Sequence, residues 1–198
     1  MASRPLILFS LCVAAVPCGA LDWEIQVVQE DVGKPLLAGN RPLSIALDLA
    51  TGLPLVAYND LSTTTTAGLR LARVGSTGWE IETVVHAFAD MTEADLELNP
   101  VTGHPCIVYR FLHDYLSYAA FDGTSWEISR VGSPLQKDLI QTQTGIVQEG
   151  GRLLFDPKSG RLQVIHVHNQ NVVLSTYNNT QWTDQTIFPM KGARECRW

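Results

Sequence analysis

Apolar residues in this chain fall in short runs between polar turns, and no stretch between those turns repeats with the 3.6-residue period of an amphipathic helix. Three of the runs align with one another. The segment from Asp48 through Gly52 to Tyr58 matches the one from Asn99 through Gly103 to Tyr109, and both match the one from Asp156 through Gly160 to His166. Each copy continues into a second apolar run, beginning at Leu69, Leu116 or Val172, and then into a tryptophan, Trp79, Trp126 or Trp182, always 10 residues further on.

This repeat predicts four strands per unit. In the first copy they are Ser44 to Leu47, Leu55 to Tyr58, Leu69 to Arg73 and Trp79 to Val85, with equivalents in the other two. Units of roughly 45 to 55 residues made only of short strands are the mark of propeller blades, which cannot bury their faces alone and must stack. The fold class is therefore all-β and β-propeller-like, with three four-stranded antiparallel blades at about 42–85, 92–131 and 150–188. Consecutive rather than alternating apolar residues, as from Cys106 to Tyr109, suit a sheet packed on both faces. Each tryptophan is expected to plug the space between two blades. The Gly of each aligned turn supplies a positive φ, and the Asp or Asn four residues earlier can hydrogen-bond the turn backbone.

One strand has no blade of its own. Trp23 to Val28 resembles the final strand of a blade, as in Trp79 to Val84, so residues 21–188 form a partial propeller followed by an irregular tail at 189–198. Closed propellers have about four to eight blades. Two explanations follow: the chain is a fragment of a longer propeller, or copies self-associate to close a ring.

The first 20 residues read as a signal peptide. Arg4 precedes an apolar run from Pro5 to Val16, and small residues lead to a cleavage position after Ala20. The mature protein is expected to be secreted, either extracellular or periplasmic, and no later segment is apolar and long enough to span a membrane. A net charge of -6 and a pI near 5.3 exclude the basic surface a nucleic-acid binder needs. Cys12 and Cys18 leave with the signal. Cys106 and Cys196 remain, and either they pair in an oxidising compartment or Cys106 is a buried thiol in a strand. Asn178, in Asn178-Asn179-Thr180, is at once a glycosylation acceptor and a turn residue.

Propeller topology gathers the loops after each second strand on one rim. That rim carries the candidate ligand-binding residues Asn59, Asp60, Arg110, His113, Asp114, His168 and Asn169, because loops on a rigid scaffold are where binding concentrates. The repeated turns and Asn178 occupy the opposite rim. His166 and His168 share a strand face, yet no third ligand follows at a fixed spacing, so no metal is assigned and His166 is read as a hydrogen-bonded core residue. Asp95, Glu97 and Arg152 on first strands are expected to line a central channel. No cofactor motif and no catalytic constellation is found.

The run from Leu116 to Val131, with its partner from Leu69 to Val84, resembles the degenerate Asp-box repeats of secreted sialidase-like propellers. The resemblance covers about residues 42–188 and concerns blade architecture; Asp122 to Trp126 is one residue shorter than the family's box. It implies a carbohydrate-related role. Catalysis in that family needs an arginine cluster introduced by an Arg-Ile-Pro signature, which this chain lacks. The expected function is therefore a non-catalytic recognition module that binds a glycan or an extracellular protein through its loop rim. The alternative is a sialidase-like glycoside hydrolase, or an inactive fragment of one, dependent on Arg110 or Arg152.

Overall fold

The computed structural model describes residues 6–10, 24–30, 32, 43–62, 67–87, 91–111, 115–132, 151–168 and 171–189. A short pair, β1 (Leu6–Ser10) and β2 (Glu24–Gln29), comes first. Blade 1 is β3 (Leu43–Leu47), β4 (Pro54–Asp60), β5 (Gly68–Val74) and β6 (Trp79–His86). Blade 2 is β7 (Met91–Leu98), β8 (Pro105–Phe111), β9 (Ser117–Phe121) and β10 (Trp126–Arg130). Blade 3 is β11 (Arg152–Phe155), β12 (Leu162–His168), β13 (Asn171–Tyr177) and β14 (Trp182–Pro189). Each blade is an antiparallel meander in chain order, with strand limits within two residues of those read from the repeat. The described residues contain no helix.

The turn chemistry is as the repeat predicts. Gly52, Gly103 and Gly160 have φ of 71°, 72° and 66°, a region open to glycine at no steric cost. Asp48 accepts from the backbone N–H of Ala50, Asn99 from that of Val101 and Asp156 from that of Lys158, each at 2.9 Å. The bond from Ala50 N holds the Asp48 carboxyl below the usual carboxylate range, and the Ser159 hydroxyl, with Lys158 N, does the same for Asp156.

Two seams join the three blades. Along β4, Leu55 and Ala57 point forward to blade 2, where they meet Ile107, Tyr109 and Ala119. Along β8, Cys106 and Val108 point forward to blade 3, where they meet Leu153, Leu162 and Val164. The consecutive apolar runs thus serve two seams at once. Leu69, Leu71 and Ile107 are fully buried, and burying one such side chain is worth about 1.5–3 kcal/mol. A net hydrogen bond contributes about 1 kcal/mol, so apolar contact supplies most of the attraction between blades. Trp126 and Trp182 pack at their seams, and Trp79 packs on the rear face of blade 1.

Hydrogen bonds fix the register across each seam. The innermost strand of a blade has no fifth strand beside it, so its outward N–H groups need other acceptors. Ser44 Oγ accepts from Leu96 N at 2.9 Å, and Asp95 Oδ2 accepts from Leu153 N at 2.7 Å. Ser44 and Asp95 hold the same place in the repeat, four residues before the turn Asp48 or Asn99. In the third copy that place is Arg152, which cannot accept and instead donates back to Asp95 Oδ1 at 2.6 Å. Asp95 is thus a buried clamp between blades rather than a channel-lining group; Glu97 is exposed.

The pair β1–β2 reproduces the outer half of a blade. Blades 1 and 3 each carry a bulge between their third and fourth strands, at Val84 and Ile187, and β1–β2 carries one at the matching Val28. Val28 packs on Val56, Tyr58 and Ala72 of blade 1, as Val84 packs on blade 2. The strand resembling a final blade strand therefore sits in that place, and β1, which lies within the expected signal segment, pairs with it.

Removing the Asp95 carboxylate leaves the Leu153 N–H without its partner. Asp95→Ala is expected to cost about 2 kcal/mol and Ser44→Ala about 1 kcal/mol, read as the larger and smaller fall in thermal midpoint; equal effects would mean the clamp is not a charge-assisted one.

Candidate functional site

The loop rim is built mostly from side chains that already have internal partners. Asp60 is 1% exposed. Its carboxylate accepts from Ser62 N at 2.9 Å and Gln29 Nε2 at 3.2 Å, and lies 3.5 Å from Arg70 Nε. Tyr58 OH donates to Gln29 and Arg70 donates to Thr83, completing the network against β2. Arg110 pairs with Glu93 at 3.2 Å. Asn59 is half-buried, and His168 is buried at the end of β12. His113, Asp114 and Asn169 lie outside the described residues, as does Cys196. The described rim residues, Asn59, Asp60, Arg110 and His168, thus belong to three separate polar clusters, one per blade.

The cluster in blade 3 departs from the repeat at three places. His166 stands where the other blades have Tyr58 and Tyr109, Ser175 where they have Ala72 and Ala119, and Asp184 where they have Ile81 and Ile128. Ser175 Oγ donates to Asp184 Oδ1 at 2.6 Å and lies 2.8 Å from His166 Nε2. A hydroxyl has one proton, so His166 must donate its Nε2–H to Ser175. That order, with Ser175 in the middle and fully buried, makes the serine a link in a chain and not an activated nucleophile. Burial lowers the His166 pKa to about 4 against a pull from Asp184, and burial lowers that of His168 as well. Among the described residues no three His, Cys, Asp or Glu side chains gather as a metal site.

Cys106 is buried in the seam between blades 2 and 3. It accepts from Tyr118 OH at 3.2 Å, and burial raises its pKa. Asn178 Oδ1 takes the backbone N–H groups of Thr180 and Gln181 at 3.1 and 2.9 Å, with Asn179 at φ 72°, so the turn reading of this sequon is realised on an exposed surface.

The opposite rim carries a constellation that the repeat did not announce. Arg73 of β5 pairs with Glu82 of β6, their side chains 38% and 33% exposed. Across the seam the Arg73 guanidinium stands 5.8 Å from the centroid of the Phe121 ring, which packs on Trp126 at 5.4 Å and on His104 at 5.8 Å. The next seam keeps the aromatic half, with Tyr177 and Trp182 at 5.1 Å, but has Ala120 and Ser129 in place of Arg73 and Glu82. Among the described residues, a half-exposed guanidinium–carboxylate pair facing aromatic rings thus occurs at the seam between blades 1 and 2 and not at the next seam. The signal in the sequence was present: two charged residues where the equivalent blade has Ala and Ser.

No family model matches this sequence, and no curated protein matches it. Solved structures that this chain resembles include a fucose lectin from Kordia zhangzhouensis in complex with methyl-fucoside, 12% identical, the likeness covering 74% of this chain and 99% of the lectin, with a TM-score of 0.43. Another is an exo-beta-1,3-galactanase from Phanerochaete chrysosporium bound to beta-1,3-galactotriose, 11% identical with a TM-score of 0.44. The likeness covers 84% of this chain and 41% of the galactanase.

Because the folded-state pKa of His166 is lowered, its contribution to stability is complete above pH 6.5 and is lost as pH falls toward 4. The loss is on the order of 3 kcal/mol. Urea unfolding across that range is expected to show the slope, and His166→Tyr, which restores the residue of the other blades, to flatten it; an unchanged slope would assign the acid sensitivity to other groups.

Proposed function

We propose that this chain is an exported, non-catalytic recognition module that binds a neutral glycan at the mouth of the seam between blades 1 and 2. The carrying observation is the Arg73–Glu82 pair held across from Phe121 and Trp126. An aromatic ring offers a flat apolar surface to the C–H face of a sugar, and a paired guanidinium and carboxylate offer directed donors and acceptors to adjacent hydroxyls. Glu82 cancels the Arg73 charge, so a carboxylate-bearing sugar gains little attraction there. The loop rim is the weaker candidate, since Asp60 and Arg110 would have to give up buried or half-buried ion pairs to meet a ligand.

The sialidase-like alternative requires several arginines converging on one carboxylate. Arg70, Arg110 and Arg152 lie in three different blades, each beside its own acid, Asp60, Glu93 and Asp95. Export rests on the apolar run and small residues before Ala20, with β2 and the three blades remaining after cleavage.

Titration calorimetry against a panel of neutral methyl glycosides and sialyllactose tests this reading. Binding of a neutral sugar is expected, with sialyllactose weaker, and Arg73→Ala should weaken it by about tenfold or more, the worth of hydrogen bonds to a charged group. Arg110→Ala should leave it unchanged. A ligand lost with Arg110→Ala and kept with Arg73→Ala would move the site to the loop rim.

A further inference from the structure

Two surfaces at opposite ends of the blade series carry residues of an inter-blade seam that stand exposed rather than covered by a neighbouring blade among the described residues. On β3, Leu43, Ile45 and Leu47 are 39%, 48% and 58% exposed. The residues matching Ile45 in the next two blades, Leu96 and Leu153, are 2% and 4% exposed because the preceding blade covers them. On the forward face of blade 3, Ile187 and Phe188 are exposed, whereas their counterparts Val84 and Val85 pack into the seam after blade 1. Leu154 is exposed on the same face, where its counterpart Ala46 packs into that seam.

We propose that these two surfaces are the halves of one interface, and that a second copy of this chain supplies the missing half to each. The contact is head-to-tail: the forward face of blade 3 in one copy meets the rear face of blade 1 in the other, continuing the arrangement that the chain uses twice within itself. The half-blade formed by β2 lies between them at the periphery. Its Val28 already packs on blade 1, and its outer face shows Ile25 and Val27. Blades are wedges, narrow at the axis, so a filler with outer strands alone leaves the inner strands free to touch. Ile187 and Phe188 then face Ile25 and Val27, while Leu154 faces the β3 stripe.

Such an interface is heterologous, and it closes when two copies complete a ring. Two copies bring six whole blades, within the usual range of about four to eight. One element of the internal seams is missing. Arg152 stands where Ser44 and Asp95 accept the next blade's N–H, so the seam between copies lacks that bond. The dimer is therefore expected to dissociate on dilution, while the internal seams persist.

Sedimentation velocity of the full chain over a wide range of concentration provides the test. The expected result is a mass that doubles as concentration rises. Ile45→Asp and Ile187→Asp, each confirmed as folded by circular dichroism and a cooperative melt, should each stay at the mass of one chain. Their equimolar mixture should recover a species of two chains, because each variant keeps the face the other has lost. A native chain that stays single at every concentration overturns the proposal and leaves these faces to further blades of a longer chain. Variants that still dimerise alone, or a mixture that stays monomeric, overturn it as well.

Discussion

A four-stranded antiparallel sheet with apolar residues on both faces can bury neither face by itself, and every other feature of this protein follows from that. The sheet has to be covered front and back, so blades stack, and the same side-chain positions become the forward or rear half of a seam according to their parity along a strand. Leu55 and Ala57 go forward while Val56 and Tyr58 go back. Because apolar contact is non-directional, it brings blades together without setting how far one slides along the next. Ser44 and Asp95 do that, each capping one N–H of the following blade's inner strand.

The same constraint explains where the polar chemistry lies. A buried polar group must have a partner, so Asp60 and His166, which point into faces covered by neighbours, are bound into networks with Arg70 and with Ser175 and Asp184. They keep their places because they are satisfied, and for that reason they are poor ligands for anything outside. Arg73 and Glu82 differ in lying at the mouth of a seam, where the aromatic packing of Phe121 and Trp126 reaches the surface and a third of each charged side chain meets water. Polar groups that stay reachable from solvent on such a scaffold lie at a seam's edge, where Phe121 and Trp126 are only half-buried.

How much of this could be read in advance differs by level. The strands of all three blades, their turns and the place of each tryptophan were legible, because the Gly at 52, 103 and 160 and the Trp ten residues past Leu69, Leu116 and Val172 repeat without slippage. The place of β2 was legible too, through the likeness of Trp23 to Val28 to a final strand. The polar relay of blade 3 is visible in sequence only as scattered residues: His166 reads as a core histidine, but Ser175 and Asp184 lie on other strands, and nothing linear joins them. Topology puts the residues after each second strand on one rim, but which of them a neighbouring strand engages, as Glu93 engages Arg110, is set by pairing that the linear chain does not show.

The sequence by itself determined that this is a stack of four-stranded blades, since strand length, turn chemistry and two-sided apolarity are local properties that each segment carries alone. Tertiary structure decided which charged residues are spent and which are left. Arg70, Arg73, Arg110 and Arg152 are alike in the linear chain; Arg110 is matched with Glu93 and Arg152 with Asp95, while Arg73 with Glu82 stands before an aromatic wall. That outcome depends on pairing register and on what the next blade presents, which only the folded stack specifies.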